Sequence, residues 1–215
     1  MKKYKLGESK DFNGIKLFRV VALKDFSNVK KGDVGGWIKK EENLSQNGNC
    51  WVFNNARVYS NARVSGNAQV YGDAQVFNNA QVSGNAQISG EAWVFGDARV
   101  FNNAQVYSDA KVSGGAWVSG EAQIFGDAQI SGKARVSGDA KVSGDAWRKT
   151  PLMIYGTRDV VCHSALHEIT IGCISKTFDE WLEKYIEIGK KSKYSKDEIK
   201  EYKKYIDLII FFVSE

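Results

Sequence analysis

Val52-Phe53-Asn54-Asn55-Ala56-Arg57-Val58-Tyr59-Ser60-Asn61-Ala62-Arg63-Val64 is the stretch that decides the fold. It opens a run in which an aliphatic residue falls at every sixth position, from Val52 to Val142, sixteen times without a break. Four positions after each comes Ala, from Ala56 to Ala146, again sixteen times. A helix with about 3.6 residues per turn cannot hold a six-residue period on one side. A strand–turn unit can. In an extended segment, Ala and the Val two residues on point the same way, and a Gly, Asn, Ser or Asp pair between them and the next unit makes a corner. Each hexad is therefore one short strand and one corner. Stacked coils pair in parallel and bury a continuous column of Val, Ile and Ala.

The rest of the composition bounds the reading. The chain has 215 residues, 43% of them hydrophobic and 26% charged, which is a folded composition and not a disordered one. No apolar stretch approaches the ~18 residues of a membrane helix. The N-terminus has basic residues with no apolar run after them, so no secretory signal is expected. Three cysteines, Cys50, Cys162 and Cys173, make no disulfide framework and fit a reducing cytoplasm. The net charge of +5 sits in residues 1–50, with 11 Lys and Arg against 6 Asp and Glu. Its cations are scattered lysines among acids. A nucleic-acid groove would show clustered Lys and Arg with aromatics, so nucleic acid is not the expected partner.

The hexads resemble the repeat of left-handed β-helices, in which three hexads close one triangular coil. The expected fold is thus mainly β: a single-stranded triangular parallel β-helix over residues 44–149. A β-rich cap (1–43) precedes it and a small α+β domain ending in a helical hairpin (150–215) follows. The handedness is what the resemblance implies. At ~4.8 Å per coil the prism is roughly 26 Å long. By phase, Leu44 and Cys50 take Ala slots upstream, while Leu152 and Ile154 take Ala and Val slots downstream, with Arg148 breaking the pattern between.

With three hexads per coil, the residue between Ala and Val sorts onto three outward faces. The first reads Trp51, Gln69, Gln87, Gln105, Gln123, Lys141, a glutamine ladder whose amides are placed to bond along the axis. The second reads Arg57, Gln75, Trp93, Lys111, Gln129, Trp147, in which Arg57, Trp93 and Trp147 form a second candidate binding surface. The third reads Arg63, Gln81, Arg99, Trp117, Arg135. Arg and Trp are common interface anchors, so Arg63, Arg99, Trp117 and Arg135 are the first candidate for contact with a protein partner. Eight corner positions carry Phe or Tyr (53, 59, 71, 77, 95, 101, 107 and 125) and the rest Ser. Aromatics there are expected to stack in corner ladders and to favour self-association. A second period shows in Phe53-Asn54-Asn55, Phe77-Asn78-Asn79 and Phe101-Asn102-Asn103, each four hexads after the last.

The ends read differently. Asn13-Gly14 is a hairpin signal, and Ile15 to Leu23 reads as a strand. After Thr150-Pro151, residues 152–174 read as short strands. Thr177 to Glu180 and Ser195 to Glu198 are capping boxes opening two amphipathic helices, the first expected to end at Gly189. The only histidines are here. Cys162-His163, His167 and Cys173 have a spacing unlike a common zinc finger, so neither metal nor cofactor is expected.

Val34-Gly35-Gly36-Trp37-Ile38, Asn43-Leu44-Ser45-Gln46 and Gly48-Asn49-Cys50-Trp51-Val52, followed by the Ala-x-Val hexads, resemble uncharacterised bacterial hexapeptide-repeat proteins labelled acetyltransferases. The tail, with Thr150-Pro151-Leu152, Ile171-Gly172-Cys173 and Phe178-Asp179-Glu180-Trp181, is similar to a C-terminal region of phage and prophage proteins. The first resemblance implies acyl transfer from acyl-CoA with a His base and a loop projecting from the solenoid. The sixteen hexads hold no His and no inserted residue, leaving only His163 or His167 as base. Fold does not by itself carry function. The expected function is a non-catalytic binding scaffold that contacts a protein partner and itself, with acyltransferase and polymer-forming β-helix as alternatives.

Overall fold

The corner explains why the repeat needs Gly, Asn or Ser at one place. The computed structural model describes residues 2–144, 146–147 (backbone) and 151–213. At each corner one residue turns through positive φ, as at Gly66 (67°), Asn78 (59°) and Ser108 (60°). Residues without a bulky branched side chain adopt that conformation at least cost. The two-residue strands then pair in parallel with the strands three hexads further on: Trp51 with Gln69, Val52 with Val70, and so on to Gln123 with Lys141. Backbone bonds such as Arg57 N–H to Ala74 O (2.9 Å) and Phe53 N–H to Val70 O (2.8 Å) repeat along the axis. The three walls are sheets of nine, six and five strands. Every Ala and Val or Ile of the run from Val52 to Val142 is buried. The chain is thus a parallel β-solenoid, mainly β, and no projecting loop interrupts its strands between Trp51 and Ser143.

The first coil is irregular. Strand β1 (Tyr4–Phe12) and β2 (Ile15–Ala22) form the hairpin marked by Asn13 and Gly14, both at positive φ. β2 pairs antiparallel with β3 (Val34–Ile38), and β3 pairs parallel with Arg57–Val58. Ile38 stands opposite Val58 and Leu44 opposite Val64, whereas Trp51 stands opposite Gln69. The first two offsets exceed a regular coil by a pair of residues, and the turn from 45 to 49 holds that extra pair. Leu44 consequently takes a Val slot, a correction to the phase-based reading. Cys50 does take the Ala slot and is buried.

An open solenoid end presents unpaired carbonyls, which are costly when buried and adhesive when bare. Side chains close this one. Lys3 Nζ donates to Cys50 O (2.9 Å) and Gly48 O (3.3 Å), and Asn43 Nδ2 to Ala62 O (2.8 Å). The Tyr4 hydroxyl donates to Leu44 O (2.6 Å) and Arg19 Nη1 to Gly35 O (2.8 Å).

At the far end the register slips. Ala146–Trp147 pairs with Gln129–Ile130, one residue short of a full coil, and the parallel stack stops. An antiparallel sheet follows, from strands Met153–Tyr155, Val160–Ala165, Glu168–Ile171 and Ile174–Thr177. Its Cys162 and Met153 close the solenoid core. Leu152 and Ile154 do not continue the hexads. They pack on the other side, with Trp181, Tyr202 and Ile206. Arg148 and Thr150 lie outside the described residues. Helices α1 (Phe178–Lys191) and α2 (Lys196–Val213) lay their apolar faces on that second side. Both capping boxes form, with Glu180 N–H donating to Thr177 Oγ1 (3.2 Å) and Glu198 N–H to Ser195 Oγ (3.2 Å). Gly189 does not end α1. It lies buried within it, where an added Cβ would meet Ile199 Cγ1 at 2.7 Å. Glycine is there for close approach of the two helices, and Lys193, at φ 59°, turns the chain instead.

Candidate functional site

Parallel pairing in register puts Arg63, Gln81, Arg99, Trp117 and Arg135 in one row across the five-stranded wall. Arg99 and Arg135 flank Trp117 in adjacent coils. Their guanidinium carbons lie 5.2 and 4.8 Å from the indole ring, and Phe101 meets the indole edge-on at 6.2 Å. Each cation–π contact is worth about 0.5–1 kcal/mol at an exposed site. The three side chains hold each other upright on a rigid base, with both arginines exposed. Such a row offers forked donors for carboxylates and an apolar plane between them. Arg63 is exposed but separated from Arg99 by Gln81, so it stands outside the ladder.

The second candidate surface does not form as a unit. The N-terminal hairpin covers Arg57, which stacks on Phe12 at 4.4 Å and lies 4.0 Å from Asp73. Trp147 pairs opposite Ile130 because of the slipped register, and its side chain lies outside the described residues. Of the described side chains of this set, Trp93 remains available, 38% exposed, with Lys111 over its ring at 5.4 Å and Phe77 edge-on at 6.0 Å.

On the first wall, Trp51 is buried beneath the N-terminal cap, edge-on to Tyr4 and Phe26. Among the described residues no amide bond joins Gln69, Gln87, Gln105 and Gln123. The amide ladder runs at a corner instead, from Asn67 to Asn85 (3.1 Å), Asn85 to Asn103 (2.9 Å) and Asn103 to Glu121 (2.6 Å). The recurrence of Asn49, Asn67, Asn85 and Asn103, once per coil, is a signal that the reading of faces passes over. Corner aromatics do stack: Phe53 on Tyr71 (4.8 Å), Tyr59 on Phe77 (5.1 Å), Phe77 on Phe95 (5.0 Å) and Tyr107 on Phe125 (5.4 Å). Seven of the eight stack in this way and Phe101 packs edge-on to Trp117; all eight are half-buried, so they leave less bare aromatic surface than their number implies.

The histidines lie in the C-terminal sheet. His163 is buried, with Nε2 3.5 Å from Leu166 O and its ring 6.0 Å from that of Phe178. His167 is exposed, edge-on to the same Phe178 at 5.8 Å. Cys162 faces the solenoid core, where burial pushes its thiol up to about 12, and Cys173 is exposed. Among the described residues no three His, Cys, Asp or Glu side chains come together as a metal site. A groove of about 1000 Å³ opens where the last coil meets the C-terminal sheet, lined by Asp139, Lys141, Tyr155, Arg158, Asp159 and Cys173 among others. No sequence pattern marks it. Two of its charges are engaged internally: Arg158 with Asp159 (4.0 Å) and Lys193 O (3.1 Å), and Asp159 with the Tyr194 hydroxyl.

The uninterrupted three-hexad coil, buried Ala and Val columns included, is the observation that decides the class. The chain is a hexapeptide-repeat β-solenoid protein. A family model described as the YdcK β-solenoid repeat matches residues 56–72, 68–84 and 128–144. An Escherichia coli (strain K12) protein named "Uncharacterized acetyltransferase YdcK" is 40% identical over 63 residues, which is 25% of this chain and 19% of that protein. The chain thus spans about a fifth of the length of that relative. No helix among the described residues is long and apolar enough to cross a membrane.

Proposed function

We propose that this solenoid is a non-catalytic binding scaffold whose contact surface for a protein partner is the Arg99–Trp117–Arg135 ladder. The observation that carries this reading is the indole held between two exposed guanidinium groups on a wall made rigid by parallel pairing. Preorganised Arg and Trp side chains bind with little loss of rotamer freedom. The tail's resemblance to phage and prophage proteins supports a bacterial host factor, such as a defence protein, as the partner.

The test is capture from a bacterial host lysate with tagged wild-type protein and with an Arg99→Ala/Trp117→Ala variant, each with and without nuclease. The expected result is one host protein held stoichiometrically by the wild type, indifferent to nuclease and lost by the variant. The variant's melting temperature should stay within a few degrees, because about 1–2 kcal/mol of cation–π contact is removed. A partner retained by the variant overturns the assignment of this wall. The printed name of the Escherichia coli relative favours a second reading, acetyl transfer, with His163 or His167 as base. Thiol release from acetyl-CoA in the presence of an acceptor, abolished by His167→Ala, would replace the scaffold reading with that one.

A further inference from the structure

The outer side of the helical hairpin holds an open groove of about 1060 Å³. Its floor is apolar, made by Tyr185, Ile186 and Ile199, and Ile186 is 46% exposed. Five lysines rim it: Lys190 from α1 and Lys196, Lys200, Lys203 and Lys204 from α2. Lys200 has Asp197 at 3.8 Å and Lys203 has Asp207 at 2.6 Å. Among the described residues no carboxylate lies within 4.0 Å of Lys190, Lys196 or Lys204.

The complement of this surface stands on the nine-stranded wall. Asp73, Glu91, Asp109 and Asp127 recur at one corner, one per coil. Trp93 rises beside them, and Glu91, Asp109, Asp127, Lys111 and Gln129 surround it in an open depression. Asp73 is engaged by Arg57, but no cation lies within 4.0 Å of Glu91, Asp109 or Asp127 among the described residues. One surface is an apolar hollow ringed by cations. The other is an exposed indole ringed by anions with one lysine. Their lengths agree as well. Lys196 to Lys204 spans ~12 Å of helix, and Glu91 to Asp127 spans ~10 Å of two coil steps. Charges of one sign left unpaired on a surface are the pattern that steers and registers a complementary one.

We infer that the lysine-rimmed groove of one copy docks the Trp93 acidic corner of a second copy. Each chain carries both halves, so a reciprocal contact closes a dimer and a one-way contact continues into a chain. This interface is distinct from the Arg99–Trp117–Arg135 ladder and stands or falls without it.

The test is sedimentation of the full chain at low and high salt, with two charge-reversed variants. Lys200→Glu/Lys204→Glu makes the groove acidic, and Glu91→Lys/Asp109→Lys makes the corner basic. All four positions are exposed, so folding should be intact by circular dichroism. Wild type is expected to sediment at twice the 23.9 kDa chain mass or more at low salt and to dissociate at high salt. Each variant alone should be monomeric, because like charges then meet. An equimolar mixture should assemble again, since each variant's altered surface matches its counterpart on the other. A monomeric wild type at low salt, assembly that survives in either variant, or a mixture that stays monomeric each overturns the proposal.

Discussion

Lys3 Nζ stands where the backbone N–H of a further coil would stand, donating to Cys50 O and lying 3.3 Å from Cys50 Sγ. Burial holds its ammonium below the ordinary 10.5. The folded state therefore carries a charge penalty at neutral pH that fades as pH rises from the lowered value to 10.5. Lys3→Met removes the charge but leaves Cys50 O and Gly48 O unpaired, at about 1–3 kcal/mol. The variant is expected to be less stable than wild type at pH 7, and the gap to widen by pH 10, read by urea unfolding at both values. Cys162 behaves oppositely. Its thiol is raised, so its share of stability is intact below pH 9 and lost as pH climbs toward about 12. At pH 8 a thiol reagent should label Cys173 at once and reach the buried Cys50 and Cys162 only on unfolding. Rapid labelling of two thiols would contradict the closed core.

Single elements show what pattern reveals and what it hides. The strand–corner unit, the Asn13-Gly14 hairpin and both capping boxes are legible, because each rests on local chemistry within a few neighbouring positions. Gly189 misleads because a glycine near a helix end signals either a stop or a close approach, and only Ile199, on the next helix, decides which. Gly189→Ala should cost about 1–3 kcal/mol through overpacking against Ile199, measured as a lower first transition in thermal unfolding. An unchanged transition would mean α2 moves aside freely. On the candidate site, the alignment of Arg99, Trp117 and Arg135 follows from the three-hexad coil. The loss of Arg57 and Trp51 from the surface does not, since Phe12, Tyr4 and Phe26 cover them from a cap with no period to count.

The whole molecule is one-dimensional in its energetics: each coil touches the next, and the caps touch only the ends. Removing residues 69–86, one coil, should leave a folded protein with a modestly lower melting temperature. Removing residues 69–85 shifts the register by one and reverses inside and outside for everything downstream. Loss of cooperative melting in the second variant alone is the expected result, read by circular dichroism. Within the prism, the second sequence period and the coil do not match in length, four hexads against three. Phe53, Phe77 and Phe101 hold one position of that period, yet they meet Tyr71, Phe95 and Trp117 at three different corners. Trp93 and Trp117, separated by the same four hexads, stand on different walls, one beside carboxylates and the other between arginines. A four-hexad period wound on a three-hexad coil is a rotation. Each recurrence turns its side chains toward a new direction in space, so one uniform interior of Ala, Val and Ile comes to have three unlike exteriors.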